Sequence, residues 1–116
     1  MKQCRLLKSE IIRKRTEFNQ VLSSAKVLSA NALTLRYAEN PSRRIGFIVP
    51  KDIVPKAVIR NRIKRYLREI YRNNKEYFLE NYSFILQTRE GAANKNFHEL
   101  KDEVLSLVKT INNGKK

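Results

Sequence analysis

The chain has 116 residues and a mass of 13.7 kDa, room for one domain. Its 25 Lys and Arg stand against 11 Asp and Glu, a net charge of +14 that repels itself unless a polyanion screens it, so nucleic acid or an anionic membrane is the expected partner. With 41% hydrophobic residues it is too apolar for a disordered basic tail, and its one cysteine, Cys4, excludes an internal disulfide and a Cys-rich zinc module.

Lys2, Arg5, Lys8 and Glu10 leave no apolar core for a signal peptide, so Cys4 reads as a free thiol near the end of a cytoplasmic chain. A basic arm of about residues 1–15 closes on Arg13, Lys14 and Arg15, which either meet solvent or contact phosphate. Thr16 is the expected N-cap of a short helix over 16–24, because Phe18, Val21, Leu22 and Ala25 recur at the spacing of one helix face. From 32 to 38 the pattern alternates, Leu33, Leu35 and Tyr37 against Thr34 and Arg36, which predicts a half-buried strand. A turn over 39–42 leads to a second strand over 43–50, with Ile45, Phe47 and Val49 on its core face. The longest apolar run, Ile45 to Pro50, is far short of the roughly 20 residues that span a bilayer. Residues 51–55 form either a third strand or a connection, since Pro50 and Pro55 remove ladder donors.

A long helix follows over 56–74, then a strand over 82–89 and a loop over 90–94. Asn96 with Glu99 three residues later marks a helix start. Phe97, Leu100, Val104, Leu107, Val108 and Ile111 carry that helix to its expected end before Asn112, leaving a short basic tail over 112–116. The order α-β-β-(β)-α-β-α, without repeat or linker, is one α+β domain over 1–116, helices layered on a small sheet.

The densest signal lies in the helix over 56–74. At about 100° per residue, Ile59, Ile63, Tyr66, Leu67, Ile70 and Tyr71 close into an apolar stripe, and Arg60, Asn61, Lys64, Arg65, Arg68 and Arg72 gather opposite. Glu69 is the one acid between 60 and 72, on the flank with Arg62. A merely solvated helix interleaves both signs as ion pairs one turn apart; this one concentrates a single sign, the mark of a polyanion-binding face. Arginine's planar fork suits bidentate phosphate contacts and base stacking, and the Asn61 amide both donates and accepts. The sheet needs the apolar stripe as core, which disfavours a helix lying on a membrane.

Enzyme chemistry carried by the chain alone is poorly supported. His98 is the one histidine and reads as structural or solvated; Asp52 and Asp102 are the two aspartates, and no cluster has metal-ligand spacing. Gly46, Gly91 and Gly114, the three glycines, build no phosphate loop. Neither catalytic residues nor protein metal ligands are therefore expected.

The run from Ala57 to Glu69, centred on Arg60, Asn61 and Arg62, resembles the Arg-Asn-Arg signature of the bacterial ribonuclease P protein component. Leu6, Leu7 and Lys8 with Phe18 before it, Arg44 to Phe47 and Val49 to Lys51 between, and Ser83 to Arg89 after it keep that family's order and spacing. The resemblance implies an α+β domain in the order α-β-β-β-α-β-α, its mixed sheet carrying a left-handed βαβ crossover where most are right-handed, the fold of the second domain of ribosomal protein S5. It implies that Arg60, Asn61, Arg62, Lys64, Arg65, Arg68 and Arg72 face the catalytic RNA subunit, one protein per RNA. It further implies that a cleft between the first helix and the sheet takes the single-stranded 5′ leader of precursor tRNA, with Phe18, Thr34, Arg36, Lys51 and Arg89 in contact. Magnesium held by the RNA would hydrolyse the phosphodiester, and the protein would improve substrate binding and metal use. Leu22 and Arg36 depart from the family, standing where relatives often carry aromatics, so leader binding leans toward charge rather than rings. Asp52 replaces a usual basic residue beside Lys51.

Other readings share part of this signal. Phe18 taken alone is a core aromatic at helical spacing. Charge, size and an arginine-rich helix would equally suit a ribosomal or ribosome-assembly protein, or a DNA reader with its helix in a major groove, but neither explains the flanking matches.

Overall fold

The alternation along the predicted strands sends one set of side chains to each face of a four-stranded sheet, and the helices divide between those faces. The structure, a computed structural model, describes residues 10–114, with side chains to 112. The expectations for Cys4, for the basic residues before Glu10, for Leu6 to Lys8 and for 115–116 lie outside the described residues. The elements are α1 (Arg15–Ser24), β1 (Lys26–Ser29), β2 (Leu33–Glu39), β3 (Arg44–Ile48), α2 (Ala57–Asn73), β4 (Tyr82–Thr88) and α3 (Phe97–Gly114). The sheet runs β1-β2-β4-β3; β4 is antiparallel to β2 and parallel to β3, and α2 makes the crossover that parallel neighbours require.

Leu33, Leu35, Ile45, Phe84 and Leu86 face α2 and α3, which return Ile63, Leu67, Ile70, Tyr71, Leu100, Val104 and Val108 to the main core. Each such side chain, fully buried, contributes roughly 1.5–3 kcal/mol of transfer free energy. Tyr71, Phe78 and Phe84 meet edge to face, with centroids 4.9 and 5.2 Å apart, an arrangement aromatic quadrupoles favour. On the opposite face Ile12 and Val21 cover Ile85, with Phe18, Ala38 and Ile48 packed around them. Central β4 is thus buried on both sides.

Most boundaries shift by one or two residues from the sequence reading, β3 ending at Ile48 rather than at residue 50, and three differences have a clear cause. The third strand is Lys26–Ser29; Pro50 to Pro55 is a connection, its turn closed by amides of Ile53 and Val54 on the Pro50 carbonyl (3.2 and 2.9 Å). α1 begins at Arg15 with Lys14 as its N-cap and no side-chain cap bond, so Thr16 lies inside the helix. α3 continues through Asn112 to Gly114, where a tail was expected, because Ile111 is still buried and holds that turn on the core. At its start the capping box forms as read: the amide of Asn96 donates to Glu99 (3.0 Å) and that of Glu99 to Asn96 Oδ1 (2.9 Å).

The expected basic arm is anchored from Glu10 onward. Ile11 bridges to Ile45 at the free edge of β3, and Ile12 is buried. Glu10 accepts from the Tyr71 hydroxyl (3.0 Å) and from Lys75 Nζ (2.7 Å), so a buried carboxylate is paired and hydrogen-bonded, as burial demands. Burial pushes the Tyr71 hydroxyl well above the ordinary phenol range; Arg43 beside it pulls the other way, and Glu10 adds to the rise.

Candidate nucleic-acid interface

The apolar stripe of α2 fixes which way its charges point. Ile63, Leu67, Ile70 and Tyr71 are buried, so Asn61, Arg65 and Arg68 stand exposed with Lys64 half-buried between them. Among the described residues none of these four side chains takes a hydrogen bond or ion pair within the protein. Three of the expected seven are engaged: Arg60 donates to the carbonyls of Val54 (3.0 Å) and Pro55 (2.7 Å), Arg62 to that of Ala93 (3.3 Å), and Arg72 pairs with Glu69. Val58 projects beside them, 79% exposed, an apolar side chain that no core contact explains.

A second surface lies where α1 covers only part of its face of the sheet. Strand alternation brings Thr34 and Arg36 of β2, Gln87 of β4 and, through the register Val27 to Arg36 and Ser29 to Thr34, two residues of β1 to that face. Arg36 donates to the Gln87 side-chain oxygen, linking β2 to β4 on this face. Phe18 closes the α1 side. It is half-buried against Ile12, Val21 and Ile85 and its ring rests on Gly46, so one side of the ring packs on the small core and part of it stays open to solvent. Leu22 (38% exposed) and Val27 (50% exposed) give the surface an apolar margin. Thr34 lies on the expected face but is 8% exposed, so it shapes the floor more than it offers a hydroxyl. Arg44 holds the arrangement together by pairing with Glu17 of α1 (2.6 Å) and donating to the Ile11 carbonyl (3.2 Å).

Lys51 and Arg89 sit at the sheet end where β3 and β4 finish. There Asn31, Pro50, Asp52, Ile53, Gln87, Thr88, Arg89 and Glu90 line an open depression of about 700 Å³. Arg89 is tied to the β1–β2 turn by a 2.6 Å bond to the Ala30 carbonyl, and Lys51 is exposed on the connection beyond β3. Two of the five expected cleft residues, Lys51 and Arg89, thus stand at the end of the surface rather than on its floor. Val27 and Ser29 were missed because β1 spans only four residues directly after a helix; the alternation of Lys26, Val27, Leu28 and Ser29 was its one signal.

Among the described residues no three His, Cys, Asp or Glu side chains gather as a metal site. His98 is exposed, its ring centroid 5.7 Å from that of Phe97. No helix among the described residues is long and apolar enough to cross a membrane.

Comparison with known proteins gives one consistent result. The sequence model of the Ribonuclease P family matches residues 6–112. A protein of Alkaliphilus oremlandii described as "Ribonuclease P protein component" is 34% identical over 103 residues, covering 87% of this chain and 90% of its own. One of the same description from Dictyoglomus thermophilum is 36% identical, covering 86% of each. Among solved structures, the RNase P protein from Thermotoga maritima superposes with a TM-score of 0.78 at 25% identity, covering 87% of this chain and 96% of its own. The RNase P protein of Staphylococcus aureus shares the fold with a TM-score of 0.81 at 22% identity, covering 90% of this chain and 96% of that one.

Proposed function

The chain belongs to the Ribonuclease P protein family, and on that premise we propose that it assists the RNA subunit in cutting the 5′ leader from precursor tRNA by binding both RNAs on separate surfaces. The observation that carries the reading is the presence of two separate surfaces on different layers of the fold: the cationic outer face of α2 for the RNA subunit, and the partly covered sheet beside α1, with Arg36 on it and Lys51 and Arg89 at its end, for the leader.

The α2 face meets folded RNA through phosphate neutralisation. Lys64, Arg65 and Arg68 have their donors to spare, and Asn61 can bond a phosphate or a 2′-hydroxyl. Between α1 and the sheet the needs differ, since a leader is single-stranded and varies in sequence. The half-buried ring of Phe18, the guanidinium of Arg36 and cations at Lys51 and Arg89 supply stacking and attraction without reading bases. Magnesium held by the RNA supplies the activated water and charge neutralisation for phosphodiester hydrolysis. This chain's contribution is to position the scissile region and to lower the repulsion between two polyanions, so that metal-dependent cleavage proceeds at lower ion concentration.

Leader length tests this division. The holoenzyme is expected to bind a precursor with a leader of several nucleotides more tightly than one with a single nucleotide, and the RNA subunit alone is expected to treat the two nearly alike. Equal preference with and without protein would remove the leader surface from the account.

A further inference from the structure

Arg60 and Arg62, the two arginines of the signature, spend their side chains on the protein's own backbone. One Nη of Arg60 donates to both Val54 O (3.0 Å) and Pro55 O (2.7 Å), and one Nη of Arg62 donates to Ala93 O (3.3 Å). These carbonyls belong to the two loops that border the start of α2: the turn bringing the chain in from β3, and the short 3-10 turn Ala92–Asn94 between β4 and α3. The helix start has need of such braces. Lys56, its N-cap, makes no side-chain cap bond, and the first turn carries no acid. Carbonyls left near a loop surface are good acceptors, and a charged donor makes the stronger kind of hydrogen bond with them. For either arginine to reach a phosphate, it would first have to release these bonds. Asn61, Lys64, Arg65 and Arg68 carry no such cost, having no partner among the described residues.

We infer that the basic helix divides its labour: Arg60 and Arg62 are positioning residues that set the entry turn and the 92–94 turn against α2, while Lys64, Arg65 and Arg68 make the phosphate contacts. The inference rests on reading α2 as the face for the RNA subunit. It assigns opposite physical roles to neighbouring cations that sequence alone treats as one group.

Salt dependence separates the roles. Each lost phosphate contact flattens the log-log dependence of affinity on salt by about 0.7–0.9, whereas a lost brace weakens binding by a similar factor at every salt concentration. Full-length protein carrying Arg60→Gln, Arg62→Gln, Arg65→Gln or Arg68→Gln would be titrated against the catalytic RNA subunit over a range of salt. Arg65→Gln and Arg68→Gln should flatten the slope by close to one unit each. Arg60→Gln and Arg62→Gln should keep the wild-type slope while losing several-fold in affinity. Amide exchange gives a second readout, since the Val54 amide, bonded to Pro50 O at 2.9 Å in the braced turn, should exchange faster in Arg60→Gln and unchanged in Arg65→Gln. Should Arg60→Gln prove too unstable to titrate, Arg62→Gln, which loses only a 3.3 Å bond, decides in its place. Flattening by Arg60→Gln or Arg62→Gln as large as that by Arg65→Gln would overturn the division. If none of the four variants alters the slope, the reading of α2 as the RNA face fails instead.

Discussion

Gly46 gives a direct handle on the surface beside α1. A Cβ placed there would lie 2.6 Å from Phe18 Cε1 and 2.9 Å from Cζ, with Ile12 Cβ at 3.4 Å. Carbon contacts settle near 3.5–4.0 Å, so Gly46→Ala must move the ring by roughly 1 Å. Inward motion is blocked by buried Ile12, Val21 and Ile85, and the half-buried ring can yield only toward the open side. Because a side-chain tip moves rather than backbone, the cost belongs at the low end of the overpacking range, about 1 kcal/mol. Replacing a strand glycine returns about 0.5–1 kcal/mol through the unfolded chain, so the net loss of stability should stay below about 1 kcal/mol. The leader should feel the same shift more strongly, since a stacked base is worth about 1–3 kcal/mol and stacking tolerates little displacement. The assay pairs a melting curve with holoenzyme affinity for long-leader and one-nucleotide substrates. A nearly unchanged melting temperature with a narrowed leader preference is expected. A loss near 3 kcal/mol would mean that the ring is locked in the core, and a normal leader preference in a well-folded variant would detach Phe18 from the leader.

Phe18→Ala combined with Arg89→Ala should shrink the same preference while leaving assembly with the RNA subunit intact, as native gel titration would report; equal weakening toward both substrates in a folded protein would return Phe18 to the core. The triple variant Lys64→Gln, Arg65→Gln, Arg68→Gln should bind the RNA subunit with a salt slope flatter by about two to three units, measured by filter binding with circular dichroism as control. Tyr71 is held neutral in the folded state above its unfolded pKa of about 10, so its stabilising contribution is complete below pH 10 and is lost as pH rises beyond it. The stability advantage of wild type over Tyr71→Phe should therefore be constant at neutral pH and shrink above about pH 10 in chemical denaturation, and a constant difference throughout would refute it.

The sequence carried most of the fold, because its long elements are strongly periodic. The stripe on α2 reads directly as the buried set of Ile63, Leu67, Ile70 and Tyr71, and Leu33 and Leu35 alternate with Thr34 and Arg36 as expected. What escaped was short or tertiary. β1 has four residues and exists through its pairing with β2, and the turn after Pro50 looked as much like a strand as a connection until its amides closed on the Pro50 carbonyl. For the site, composition and rotation gathered the cations of α2 on one side. They could not distinguish Arg60, folded back on Val54 and Pro55, from Arg65, which reaches solvent, since that difference depends on where a loop carbonyl lies. The pairing of Arg36 with Gln87 likewise joins positions 51 residues apart and appears only once β2 and β4 are in register.

Reconstitution separates what this chain contributes to cleavage from what its RNA contributes. Precursor tRNA cleavage would be followed with the protein alone, the catalytic RNA subunit from the same source alone, and both together, at a magnesium concentration that limits the RNA. No cleavage by the protein, slow cleavage by the RNA and markedly faster cleavage by the pair are expected, with the difference closing as magnesium rises. Cleavage by the protein alone, with contaminating nuclease excluded, or a pair no faster than the RNA at limiting magnesium, would contradict this division of labour.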